Sequence, residues 1–195
     1  MKLRKFKLQD AARVTALLQD KEIAKWTSNI PFPYSKQDAI KWIQATSQDT
    51  AQKPFAIEVD EQVVGCVSHW VNTKSEIEVG YWLGKAYWGK GYATKALAKM
   101  LSQPDFPATA SVVAQVMTEN IGSQWVLLNN GFSRTDKYDV QGRSLHLYKK
   151  DNNIINRCLI VLPIAQHIKP CPYPHQYTMW LSLYSHHGVA FHAVG

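Results

Sequence analysis

Cysteine is scarce in this chain: three in 195 residues. That is no disulfide framework, and it points to a reducing cytosol rather than to a small stapled secreted fold. Long apolar runs are missing too. No stretch reaches the ~18 consecutive apolar residues of a membrane span, and no N-terminal stretch has the form of a signal peptide, so a cytoplasmic protein without a membrane partner is expected. The net charge is +7, but no dense Lys/Arg block carries it. Charge spread this way suits a solvated surface or an anionic cofactor, and nucleic acid is not the expected partner. Paired metal-ligand spacings are absent as well. Cys158, Cys171 and His175 invite a zinc reading, yet no C-x₂₋₄-C or H-x₃₋₅-H pair has a matching partner, and no metal is expected.

What is present is an ordinary globular composition, 46% apolar and 19% charged, in a length that suits one domain with room for an appendage. Residues 1–150 read as mixed α and β. Lys2–Lys7 is a short strand, and Asp10 is placed to cap a helix that carries Ala11, Val14, Leu17 and Leu18 on one face. Residues 26–34 form a loop with Pro31, Phe32 and Pro33. Ser35-Lys36-Gln37-Asp38 is close to a capping box before a helix holding Ala39, Trp42 and Ile43. Strands follow at Phe55–Val59, Val63–Val71 and Glu76–Leu83, then a helix from Tyr92 to Leu101. Thr109–Met117 is a β-branched strand. A helix from Ile121 to Asn129 stops at Gly131, and two last strands flank Gln141-Gly142-Arg143. From Asp151 the character changes: residues 151–195 hold no other acidic residue, two basic ones, five of the seven histidines and four of the nine prolines. This segment is either a lineage-specific extension or out-of-frame or vector-derived sequence, and its composition favours the second.

The most informative stretch is the strand that ends at Leu83, followed by Trp88-Gly89-Lys90-Gly91-Tyr92-Ala93-Thr94 and a helix. Strand, glycine turn and helix start make a phosphate cradle: the glycines let backbone N–H groups approach an anion, and the helix adds the positive end of its dipole. Two familiar cradles are excluded. Gly84 to Lys90 spells G-x-x-x-x-G-K, but Gly91 follows where a nucleotide-binding P-loop needs Ser or Thr to hold magnesium. Read as a dinucleotide fingerprint, Gly89-x-Gly91-x-x-Thr94 ends in Thr where Gly or Ala is needed.

The same residues resemble the acyl-CoA signature of the GNAT acetyltransferases, Gln/Arg-x-x-Gly-x-Gly/Ala, with Trp88 departing from its first position. Tyr-Trp-Gly-Lys-Gly-Tyr-Ala-Thr-x-Ala-Leu is similar to the form used by the Rim-type (RimJ/RimL-like) branch, which acetylates ribosomal-protein N-termini. Leu3-Arg4 with Gln9-Asp10-Ala11, Phe55-Ala56-Ile57, Val64-Gly65-Cys66-Val67, Glu78-Val79-Gly80-Tyr81-Trp82-Leu83, and Asn120-Ile121-Gly122-Ser123 with Asn130-Gly131-Phe132 agree with the family in order. The resemblance covers about residues 2–150. It implies an α/β (α+β) fold: a twisted, mostly antiparallel sheet of about seven strands, splayed between strands four and five and flanked by about four helices.

It also implies acetyl-CoA as co-substrate and a direct transfer to an amine. Such a transfer needs a docked donor, a carbonyl polariser, a base for the ammonium and a partner for the leaving thiolate. The resemblance places the pyrophosphate on the backbone of Gly89, Lys90, Gly91, Tyr92, Ala93 and Thr94, beside Trp88. Pantetheine runs along Trp82 and Leu83, with the Leu83 amide as oxyanion donor and Asn120 on the pantetheine amides. Lys90 adds charge there or points to solvent. For the base, Glu76 and Glu78 share a strand face; Glu78 matches the family's Glu and is the choice, the alternative being a paired structural carboxylate. The usual Tyr acid falls on Leu127, which cannot serve. Ser123 stands in by a hydrogen bond to sulfur, or else is a helix cap or first-turn hydroxyl. Trp26, Phe32, Tyr34 and Trp42 lie by the acceptor cleft, Trp42 at a spacing that also suits a core, while His69 and His146 read as structural. The expected acceptor is a protein N-terminal α-amine. Alternatives are a polyamine, amino acid or aminoglycoside amine, or a non-catalytic CoA-binding module; the chain is expected as monomer or homodimer.

Overall fold

A computed structural model describes residues 1–27, 30–47, 51–107, 111–140 and 142–151. The atypical segment beyond Asp151, with Cys158, Cys171 and His175, lies outside the described residues, as do positions 109 and 110 of the expected fifth strand and Gln141 of the last turn. Seven strands form one sheet in the order β1-β2-β3-β4-β5-β7-β6. They are β1 (Lys2–Arg4), β2 (Lys53–Val59), β3 (Gln62–Val71), β4 (Ile77–Leu83), β5 (Ser111–Met117), β6 (Ser133–Val140) and β7 (Arg143–Asp151). All neighbours are antiparallel except β4 and β5. The helices are α1 (Ala11–Leu18), α2 (Lys21–Trp26), α3 (Lys36–Ser47), α4 (Tyr92–Leu101) and α5 (Ile121–Leu128).

The described residues thus hold five α-helices where about four helices were expected. The addition is α2, whose six residues show too little periodicity to be seen in sequence; Asp20 caps it by accepting from Glu22 N at 2.9 Å. The capping box before α3 forms as expected: Asp38 N donates to Ser35 Oγ at 3.1 Å and Ser35 N to Asp38 Oδ2 at 3.0 Å. Asp10 does not cap α1. Its carboxylate takes the Arg4 guanidinium at 2.7 and 3.0 Å and the Lys7 amide at 2.8 Å. Burial opposes charge on Asp10, but these donors outweigh it and hold the carboxyl below its ordinary value. The bidentate fork wins because Arg4, on β1, is also held by Glu58 of β2.

Helix α4 packs Ala96, Leu97 and Met100 onto Ile77, Val79 and Leu83 of β4, forming the larger core with Val112 and Ala114 of β5. Leu97 and Met100 are wholly buried, each contributing about 1.5–3 kcal/mol. On the other side of the sheet, Val14 and Leu18 of α1, Ile23 of α2, and Ala39 and Ile43 of α3 form a second cluster, against which Trp82 packs. Alternation along β4 therefore gives Tyr81 and Leu83 to the α4 side and Trp82 to the α1–α3 side.

Candidate active site

Between β4 and β5 the parallel register comprises Ile77↔Val112 and Glu78↔Val113 and then stops. Beyond it β4 continues to Leu83 and β5 to Met117, so the strands splay. Which groups face the gap follows from the pairing with β3. Gly84 N donates to Val64 O at 2.9 Å, in phase with Trp82↔Cys66 and Gly80↔Ser68. Antiparallel pairs alternate, so the even residues of β4 point their N–H and C=O groups at β3, and Tyr81 and Leu83 point theirs into the gap. At Leu83 the carbonyl is taken by Trp88 Nε1, at 2.8 Å. The N–H is left facing the opening. Trp88, the departure from the family signature, thus serves as a tie on the strand end, and its ring stays 38% exposed beside the turn.

Gly89 and Gly91 both have positive φ, +71° and +74°, and a Cβ on either would meet nothing within 4 Å. The left-handed backbone explains the glycines, and the empty space over them is a cradle that an anion fits. Gly91 is the N-cap of α4 and offers no side chain, while its carbonyl accepts from Lys95 N at 3.0 Å. The first amides of the helix, on Tyr92, Ala93 and Thr94, are therefore open to a ligand. Lys90 is exposed, with Nζ 5.7 Å from the Tyr87 ring centroid.

A cleft of about 1630 Å³ is lined by Gly89, Leu83, Glu78, Asn120 and Ser123, and also by Trp26, Tyr34 and Trp42. Trp42 serves two ends: its ring meets Phe6 edge-on at 4.8 Å and it packs against the second cluster while lining the cleft. Phe32 is exposed and lines nothing there. Burial pushes the Tyr34 hydroxyl up to about 12, with the Asp38 charge adding to it.

Glu78 is buried, at 9% exposure. Its Oε1 accepts from Gln115 Nε2 at 3.1 Å, and Asn72 Nδ2 lies 3.5 Å from its Oε2 and 3.3 Å from Glu76 Oε2. Burial raises the Glu78 pKa above the ordinary carboxylate value; Asn72 and Gln115 oppose the rise and the Glu76 charge adds to it. Tyr138 of β6 also feels Glu78, its own pKa raised by burial and then by that charge. A carboxylate moved toward neutrality is the condition a general base needs.

Asn120 caps α5, its Oδ1 accepting from Ser123 N at 3.1 Å. Ser123 is therefore not the cap. Its hydroxyl lies 2.8 Å from Tyr81 Oη, a partner 42 residues away that no local motif announces. Leu127 is wholly buried, so no acid comes from that position. His69 is buried, with its ring 5.0 Å from that of Phe106, and burial lowers its pKa; it reaches no group of the cleft. Asn72, Gln115, Tyr81 and Tyr138 were not singled out in sequence. Gln115 and Tyr138 come from distant strands and Tyr81 meets Ser123 across 42 residues, whereas Asn72 lies in the β3–β4 turn, six residues before Glu78. Among the described residues no cluster of His, Cys, Asp or Glu could hold a metal, and no helix is long and apolar enough to cross a membrane.

Over 160 residues the chain is 29% identical to the uncharacterized N-acetyltransferase p20 of Bacillus licheniformis, covering 75% of this chain and 88% of that one. Its fold is similar to that of the microcin C7 self-immunity acetyltransferase MccE, solved with acetyl-CoA and AMP (TM-score 0.67, 21% identity, 76% of this chain and 91% of that one). It is also similar to RimJ of Mycobacterium smegmatis, solved in complex with CoA-disulfide (TM-score 0.66, 22% identity, 77% and 81%). Residues 1–133 match the acetyltransferase (GNAT) domain, and with the splayed sheet and glycine cradle in place the chain belongs to the GNAT acetyltransferase family.

Proposed function

We propose that this protein transfers the acetyl group of acetyl-CoA to the N-terminal α-amine of a protein, a ribosomal protein being the type of acceptor that the Rim-like motif suggests. The observation that supports this reading is one cleft lined by Gly89 and Ala93 of the cradle, by Leu83 and by Glu78. Its volume of about 1630 Å³ exceeds the roughly 300–1,000 Å³ of a pocket for one small ligand. There is room for two substrates at once, as direct transfer demands.

Acetyl-CoA supplies an activated thioester carbonyl. The cradle amides and the α4 dipole bind its pyrophosphate, and pantetheine lies as an added strand along the β4 edge that leads to Leu83, bonding to the gap-facing groups of Tyr81, with Asn120 beside it. The Leu83 N–H donates to the carbonyl oxygen as that oxygen gains charge, the moment at which a fixed donor contributes most. Glu78 takes the proton of the incoming ammonium directly or through water; Glu76, which shares Asn72 with it, is the next candidate. Ser123 donates to the departing sulfur. Trp26, Tyr34 and Trp42 wall the acceptor end, a surface suited to the first residues of a peptide.

Incubating a proteome with the enzyme and labelled acetyl-CoA, then locating label by mass spectrometry, tests the reading. Label on protein N-termini is expected. Label confined to polyamines, amino acids or aminoglycosides would move the acceptor to small amines, and CoA binding without any transfer would leave a binding module.

A further inference from the structure

The side chain of Tyr81 has no role in the chemistry above, yet Tyr81 lines the cleft together with Ser123. Tyr81 Oη lies 2.8 Å from Ser123 Oγ and 3.0 Å from Ser123 O. We infer that Tyr81 is a positioning residue for acetyl transfer, holding the Ser123 hydroxyl so that the serine proton points at the departing sulfur; this rests on the role given to Ser123 above.

Two protons are shared among three oxygens, and the carbonyl can only accept. In one arrangement Tyr81 donates to Ser123 O and Ser123 donates to Tyr81, which ties up the serine proton. In the other Tyr81 donates to Ser123 Oγ, and the serine proton is free to point into the cleft. Passing from one to the other rotates two hydroxyls and moves no heavy atom. The carbonyl keeps the regular helical bond from the amide four residues on. A hydroxyl that accepts from Tyr81 is also a better donor in its turn. Burial raises the Tyr81 pKa, with the Ser123 hydrogen bond opposing it, so the phenol stays protonated and available as a donor through the neutral range.

When the C–S bond breaks, its electron pair passes to sulfur. A thiol of pKa about 8.5 is a far stronger acid than an alcohol, so Ser123 lends a hydrogen bond and keeps its proton. The CoA thiolate takes a proton from water after release, and the proton lost by the amine leaves through Glu78. No net charge is left on the Tyr81–Ser123 pair.

The test is a cycle of Tyr81→Phe, Ser123→Ala and the double variant. Thiol release from acetyl-CoA is followed with a mixture of tripeptides bearing free N-termini, and also without acceptor, where slow hydrolysis expels the same thiolate. Tyr81→Phe is expected to lower kcat about tenfold, the loss of one neutral hydrogen bond, with acetyl-CoA affinity by calorimetry within about twofold of the parent. Ser123→Ala should lose at least as much, and the double variant no more than Ser123→Ala, because Tyr81 acts only through Ser123. A full rate for Tyr81→Phe beside a slowed Ser123→Ala overturns this inference alone. Losses that simply add, or a loss of affinity that matches the loss of rate, give Tyr81 an independent structural role and overturn it as well. Full rates for both single variants would overturn the role of Ser123 and this inference together.

Discussion

The two ends of the cleft are built by different means. The glycine end, proposed for phosphate, presents backbone: two left-handed glycines, the open amides of α4 and the gap-facing edge of β4. The other end, proposed for the amine, presents side chains, with Glu78 held by Asn72 from beyond the end of β3 and Gln115 from β5. A backbone site depends on a few consecutive residues, so it tolerates different side chains and is broken by geometry. A side-chain site depends on strand register, so it is broken by chemistry at one atom.

Substitution at the glycine end should produce the largest effect. Gly91→Glu places a bulky anion at φ +74° in the space left for phosphate, and it should abolish acetyl-CoA binding in a folded protein. The parent should gain about 2.7 kcal/mol at a ligand concentration 100 times Kd, while the variant should show no thermal shift. Unchanged affinity would move the phosphates elsewhere.

Glu78→Gln keeps the shape of the other end and removes its proposed base. The rate should fall about 10²–10⁴-fold, most at low pH, where little amine is free unaided, with acetyl-CoA affinity preserved. A pH–rate profile from 6 to 9 that matches the parent would pass the role to Glu76.

Stability should change in the opposite direction. The raised Glu78 pKa means that the folded protein binds this proton more tightly than the unfolded chain does. The corresponding stability is present in full below the unfolded carboxylate value and is lost as pH rises through the folded one. Once pH exceeds the folded value, the parent carries a buried charge that Glu78→Gln lacks. The variant should melt higher at pH 7, with the advantage fading toward pH 4. Burial sets most of its size, with Asn72 and Gln115 opposing it and the Glu76 charge adding to it.

The smallest effect is expected on the wall between the two ends. Asn120→Ala removes the α5 cap and should cost about 1 kcal/mol of stability, read from denaturant unfolding, with the Tyr81–Ser123 pair still able to tie α5 to β4.

This contrast also explains what could be read in the sequence. The glycine turn, α4, the capping box of α3 and the alternation of β4 are local, and each was visible in consecutive residues. The splay followed only from the resemblance to a family. Glu78 and Ser123 could be named from motifs, but their partners could not, since Gln115 is 37 residues away and Tyr81 is 42 from Ser123. Asp10 shows the same limit in reverse. Its local pattern promised a cap, and a guanidinium from the sheet edge claimed it instead. Helix α2 was missed because its six residues make less than two turns, too few for a periodic signal.

The short register between β4 and β5 has a mechanical meaning as well. Among the described residues, two paired positions stitch β1–β4 to β5–β7–β6 along the strands, so the sheet is two plates joined by a short seam. A pantetheine arm lying in the opening would lengthen that seam from the other end, bonding to one plate while touching the second. The donor would then act as a removable strand as well as a reagent. Its departure as CoA would loosen the joint through which the acetylated product leaves, and the amides of Tyr81 and Leu83 should exchange with solvent fastest when nothing is bound between them.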